Sequence, residues 1–124
     1  MNTENITFTY VGAEYIIANL LIALKRRKNR LFTSFGELMD LGSYIQQMSI
    51  EKDINAAFLI SSDQIENAVN GFSDYFEYSG VNNTICIKQQ HCVKDLESKF
   101  VGYLPWEVTA FLVMTIDEFV KQMQ

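Results

Sequence analysis

Ala56-Ala57-Phe58-Leu59-Ile60-Ser61-Ser62-Asp63-Gln64-Ile65-Glu66-Asn67-Ala68-Val69-Asn70-Gly71-Phe72 is the stretch from which the fold is most directly read. An apolar run ends at Ser61, whose hydroxyl is suited to accept from the free backbone N–H groups of a helix start. Gln64 stands three residues on, where its side chain can return to the cap residue, and Ile60 and Ile65 take the two positions of a hydrophobic staple. Ile65, Ala68, Val69 and Phe72 continue as one apolar helical face, and Gly71 offers the stop. The stretch predicts a short strand followed by a capped helix.

The same reading applies near the C-terminus. Val108 to Met114 is rich in β-branched and aromatic residues and ends at Thr115, with Glu118 three residues on and Met114 and Phe119 as the staple pair. This predicts a second strand and a second capped helix. Between the two sites, Tyr75-Phe76-Glu77-Tyr78 and Thr84-Ile85-Cys86-Ile87-Lys88 are strand-like, and Ser79-Gly80-Val81-Asn82-Asn83 has the composition of a turn, so a hairpin is expected. A short helix is expected over His91 to Phe100, with Pro105 interrupting the chain before the final strand.

Upstream, Ile6-Thr7-Phe8-Thr9-Tyr10 alternates in period two and predicts a half-buried strand that Gly12 ends. From Ala13 to about Asn29 the period becomes helical, with Ile17, Leu20, Leu21 and Leu24 on one stripe. A further helix is predicted from Phe35 to Met48, with Ser34 as N-cap, Glu37 three residues on, and Leu38, Leu41, Ile45 and Met48 as its buried line; Gly36 and Gly42 weaken it. The fold expected is α+β: about five helices on a small, mostly antiparallel sheet, in a single domain over residues 1–124.

Bulk composition agrees with one folded domain. The chain has 124 residues, 48% hydrophobic, which is enough to form a core and too apolar for a disordered chain. Met1-Asn2-Thr3-Glu4 lacks a positive leader, and the most apolar run, Ile16 to Leu24, is broken by Asn19 and falls short of the roughly 20 residues a membrane span needs. The expectation is a cytoplasmic protein without a membrane span. Cys86 and Cys92 form no framework and are expected as free thiols.

The net charge of −5 hides an asymmetry: Lys25, Arg26, Arg27, Lys28 and Arg30 hold five of the ten basic residues, leaving five lysines against fifteen acids elsewhere. Binding follows local potential, so this cluster is a candidate surface for nucleic-acid phosphates or acidic lipid. Equally, it is the end of a helix, where cations complement the dipole and pair with surrounding acids. Among the aromatics, Tyr75, Tyr78 and Trp106 are the candidates for a protein interface, where amphipathic rings are favoured.

Catalytic and metal chemistry find little footing. His91, the only histidine, with Cys86, Cys92 and Asp95 matches no standard zinc spacing and reads as a solvent-facing residue between strand and helix. Adjacent His91 and Cys92 do not make a nucleophilic pair, because neighbours on the chain rarely face one another and no third group orients the base. Glu51/Asp53 and Asp117/Glu118 sit in polar or helix-capping contexts rather than in a desolvating cleft. No phosphate-binding glycine loop, nucleophile elbow or HExxH motif is present. No cofactor is expected.

Over residues 34–88 the order helix, capped helix, hairpin resembles the winged helix-turn-helix superfamily. The resemblance implies that Ser62 to Asn70 stands as recognition helix and residues 75–88 as the wing. That helix carries Asp63 and Glu66 and neither Lys nor Arg, so the resemblance points it toward protein contact rather than a phosphate backbone. The apolar run 56–60 departs from the pattern, reading as a strand where the family has a tight turn.

The function expected is that of a small non-enzymatic regulatory protein acting through protein–protein contact, as an inhibitor, immunity-type protein or adaptor. A protein partner or a second copy of the chain is its expected counterpart. The alternative is a nucleic-acid-binding module using Lys25 to Arg30, and a third class is a small-molecule sensor with an apolar pocket.

Overall fold

A computed structural model describes residues 13–28, 32–52, 60–78, 83–101 and 106–122. Along these run α1 (Ala13–Lys28), β1 (Phe32–Ser34), α2 (Phe35–Glu51), α3 (Ser62–Gly71), β2 (Phe76–Tyr78), β3 (Thr84–Ile87), α4 (Val93–Val101) and α5 (Trp106–Gln122). The expected α+β class is observed. The strand predicted over Ile6–Tyr10, most of the run Ala56–Ile60 and most of the hairpin turn lie outside the described residues.

α1 is the axis of the fold. Ile16, Ile17, Ala18, Asn19, Leu20, Leu21, Ile22 and Leu24 are all buried, so the apolar surface is no single stripe but nearly the whole circumference of the helix. A helix of that kind needs neighbours on every side, and α2, α3, α4, α5 and β1 all pack against it.

The helix starts follow their caps. Ser34 Oγ accepts from the Glu37 backbone N–H at 3.0 Å and opens α2. At α3 the full capping box forms: Ser61 Oγ accepts from Gln64 N at 3.2 Å, and Gln64 Oε1 accepts from Ser61 N at 3.0 Å. Gly42, in the middle of α2, has a packing role. A Cβ there would come within 2.8 Å of Ile60 Cδ1 and 3.1 Å of Ile60 Cβ, so its absence lets the entry to α3 lie against α2.

The hairpin forms as predicted and gains a third strand. β3 lies between β1 and β2, antiparallel to both, with Thr33 opposite Ile85 and Glu77 opposite Cys86. Phe35 N donates to Asn83 O at 2.8 Å, adding a hydrogen bond just past the end of β1. Asn83 has φ 51°, a left-handed conformation that asparagine tolerates at a turn. Thr33, Phe76, Ile85 and Ile87 face the core, while Phe32, Glu77 and Cys86 form an outward row.

One prediction is overturned. Val108–Met114 is not a strand and Thr115 is not a cap: both lie inside α5. Val108, Phe111, Leu112, Thr115, Ile116, Phe119 and Val120 are buried, a helical spacing that runs through the supposed boundary. Thr115 Oγ1 donates to the Phe111 carbonyl at 2.7 Å, one turn back, which is how a mid-helix threonine satisfies its hydroxyl. Met114 is exposed and Phe119 buried, so the supposed staple pair divides between two faces.

Aromatic packing closes the other side of α1. Phe100 of α4 meets Tyr15, Phe72, Tyr75 and Phe76 at centroid distances of 5.0 to 6.0 Å, with edge-on geometry against Phe72 and Tyr75.

Candidate interaction surface

The basic cluster occupies the last turn of α1. Successive helix residues are rotated by about 100°, so Arg26, Arg27 and Lys28 fan out, and each finds an acid on a different helix. Arg26 Nη1 donates to both carboxylate oxygens of Glu97 on α4, at 2.6 and 2.8 Å. Arg27 Nε donates to Asp117 Oδ1 on α5 at 2.5 Å, and its Nη1 to the Ala23 carbonyl at 3.3 Å. Lys28 Nζ pairs with Glu37 on α2. Glu97 holds the Arg26 guanidinium above its ordinary pKa, first by the hydrogen bond and then by its charge. Lys25 is half-buried, and Arg30 lies outside the described residues. Three cations are thereby matched by three internal carboxylates. The Arg26–Glu97 and Arg27–Asp117 pairs each keep one side chain largely in solvent, where such pairs add little to stability, while Lys28–Glu37 is mostly buried; the larger effect of all three is to cancel the local positive potential.

Between α1, α4 and α5 lies an open cleft of about 670 Å³, with Asn19, Ile22, Thr109 and Val113 among its walls and the Arg26–Glu97 and Arg27–Asp117 pairs bordering it. Asn19, only 6% exposed, donates from Nδ2 to the Tyr15 carbonyl at 2.8 Å, and its Oδ1 is buried with no partner among the described residues. The cleft is open and bordered by charge.

The three aromatic candidates separate. Tyr75 is half-buried: its ring packs on Phe100 and His91, and Lys99 Nζ stands 5.4 Å from its centroid. Tyr78 is exposed at the edge of the sheet, its ring 6.2 Å from that of Phe35, and burial followed by the charge of Glu66 raises its hydroxyl pKa. Trp106, at the first residue of α5, is 73% exposed.

Trp106 has company that the strand reading concealed. Ala110, Val113 and Met114 are exposed on the same outward face of α5, with Val113 at 43% and Met114 at 49%. Glu107, Asp117, Glu118 and Lys121 complete that face. A helical projection of residues 106–121 would have grouped them; alternation along a strand assigns Val113 and Met114 to opposite sides. Asp117 and Glu118 are not at a helix cap, as the sequence suggested, but inside α5, just before its last turn.

His91 is half-buried rather than solvent-facing: Nε2 lies 2.7 Å from the Asp74 carbonyl, and the ring lies against Tyr75 at a centroid distance of 4.9 Å. Cys86 and Cys92 are free. Burial, with the charge and hydrogen-bonding of Glu77, raises the Cys86 thiol pKa against the opposing pull of Lys25. Among the described residues no group of three His, Cys, Asp or Glu side chains is placed to hold a metal ion, and no helix is long and apolar enough to cross a membrane. Comparison with protein-family models, with curated proteins and with solved structures finds no match.

Proposed function

We propose that this chain is a non-enzymatic regulatory protein that works through protein–protein contact, on a winged-helix-like framework, with the outward face of α5 as its contact surface. The observation that carries the proposal is the grouping of Trp106, Val113 and Met114, all exposed, on one side of a helix whose other side is fully packed. Large apolar side chains scattered singly are normal, but a group of them with a polar rim marks a binding face, and Trp and Met are enriched at such centres. The framework part of the reading is supported by element order: α2, α3 and the β2–β3 hairpin follow one another as the resemblance requires, with β1 as third strand.

Nucleic-acid binding is the less supported reading. Arg26, Arg27 and Lys28 are spent on internal carboxylates. The exposed positions of α3 are Ser62, Asp63, Glu66, Asn67, Asn70 and Gly71, which carry two negative charges and no positive one. Phosphate backbones repel such a face.

The test is comparative capture from a native lysate. Wild-type protein should retain one or more specific proteins, or a second copy of itself, and a Trp106→Ala/Met114→Glu variant should lose them while its circular dichroism and melting curve stay unchanged. Retention by the variant as well as by wild type would move the contact surface off α5, and an inert monomeric wild type would remove the protein-contact reading. Salt-sensitive binding of mixed oligonucleotides, abolished by reversing Arg26 and Arg27, would restore the alternative.

A further inference from the structure

We infer that the occupant of the α5 face is a second copy of this chain, with the two α5 helices antiparallel about Met114. The inference rests on the reading of α5 as a contact surface and adds the identity of what covers it.

Glu107, Met114 and Lys121 are spaced by seven residues and exposed, so they form one line along the helix, with Trp106, Ala110, Val113 and Asp117 beside it. Glu107 lies in the first turn and Lys121 in the last. In a two-fold interface the same patch faces itself, so residue i meets residue j and j meets i. Met114 is midway between Glu107 and Lys121. A two-fold axis there sets Met114 against its mate and Glu107 against the partner's Lys121, and does so twice. A parallel pair would instead oppose Glu107 to Glu107 and Lys121 to Lys121. The charges therefore select the antiparallel arrangement, and the opposed helix dipoles favour it as well.

The rest of the face fits this pairing. Ala110 is small enough to let the two backbones approach; Glu118 falls level with it, one turn from the partner's Glu107, a like charge that the two Glu107–Lys121 contacts outweigh. Trp106 reaches the partner's last turn, where its ring lies beside the Lys121 ammonium, a contact that aromatic faces favour. Asp117, close to the axis, is already neutralised by Arg27 of its own chain. One helix face is smaller than the roughly 800 Å² per partner of a standard stable interface, so the dimer is expected to be in equilibrium with monomer and to dissociate on dilution.

Sedimentation equilibrium over a concentration series tests this. Wild-type protein should move from 14.3 kDa toward twice that mass as concentration rises. Met114→Glu, which puts two carboxylates at the axis, should remain monomeric at every concentration. Glu107→Lys and Lys121→Glu should each weaken the dimer by about tenfold or more, since each turns two attractive contacts into repulsive ones. The double variant carrying both reversals should recover most of the wild-type affinity, a rescue that no other face or orientation predicts.

A wild-type dimer unaffected by Met114→Glu, or reversals that add rather than cancel, would overturn the inference. So would a monomer at the highest concentration. If that monomer still captures another protein and loses it on Trp106→Ala/Met114→Glu, the contact surface stands and only the second copy fails. If it captures nothing, both readings fail.

Discussion

The start of α3 and the middle of α5 make an instructive pair. Both contain an apolar run, then Ser or Thr, then Gln or Glu three residues later, then another apolar residue. At Ser61 the cap residue is extended, with φ −109° and ψ 165°, and its side chain and backbone exchange hydrogen bonds with Gln64. At Thr115 the hydroxyl turns back to the Phe111 carbonyl and the helix continues without interruption. The residue before each decides between them. Ile60 is buried against α2 and can act as the anchor of a staple, whereas Met114 faces out. At these two sites the capping signal takes effect where the preceding residue is buried and not where it faces solvent.

The largest test of this difference is a proline scan. Ser62 is the first residue of α3, and the capping box uses the backbone N–H groups of Ser61 and Gln64 but not its own. Proline is favoured at that position, and Ser61 already has the extended backbone a following proline demands. Ser62→Pro should change stability by no more than about 0.5 kcal/mol. Ile116 would be the equivalent residue if Thr115 were a cap. Inside α5, Ile116→Pro should cost about 3 kcal/mol or more, with further loss from its buried position. Urea unfolding of the two variants reads the contrast, and equal tolerance would break it.

Gly42→Ala probes the anchor. Its methyl would meet Ile60 too closely to be accommodated by rotating the end of the isoleucine, because Ile60 Cβ itself is within 3.1 Å. Displacing Ile60 should cost about 1–3 kcal/mol, the range for overpacking a filled core. In a solvent-exposed helix the same change would instead stabilise. The sign of the shift in urea midpoint therefore tells whether Ile60 is held as described.

What was legible in the chain follows the same logic. α1, the start of α2, the capping box of α3 and the hairpin could be read because each depends on residues within a few positions of one another. β1 could not: it is three residues long, and it exists because β3, some fifty positions away, supplies its partner. α5 was misread because β-branched and aromatic residues suit a buried helix as well as a strand, and composition outweighed the buried spacing from Val108 to Val120. With it went Val113 and Met114, leaving Trp106 as the one member of the candidate surface visible in advance. The basic cluster was legible as a cluster, but Arg26 meets Glu97 across 71 positions and Arg27 meets Asp117 across 90, separations that no local pattern carries.

Removing the hydroxyls themselves should give a smaller contrast. Ser61→Ala takes away the acceptor for Gln64 N and should cost about 1 kcal/mol. Thr115→Val keeps the shape of a buried side chain and removes a hydrogen bond to a carbonyl at a helical position, with an expected cost of about 0.5 kcal/mol or less. A larger loss at Thr115 than at Ser61, measured by the same unfolding assay, would reverse the assignment of which residue caps.

The smallest effect separates the two aspartates that follow these residues by two. Asp63 lies in the first turn of α3, where its charge complements the helix dipole; Asp117 lies in the C-terminal third of α5, where the dipole gives a negative charge no support, and pairs with Arg27. Asp63→Asn should cost about 0.3 kcal/mol in any background, the lower end of the dipole range for an exposed site. Asp117→Asn should cost about 0.5 kcal/mol, and only while Arg27 is present. In an Arg27→Ala background the Asp117 effect should vanish and the Asp63 effect should persist, a double-mutant cycle that isolates the ion pair from the dipole. Both effects shrink with salt, so salt alone does not distinguish them; the dependence on Arg27 does. If Asp117 kept its effect without Arg27, the end of α1 would not be neutralised in the way its geometry indicates, and the basic cluster would regain its claim as a binding surface.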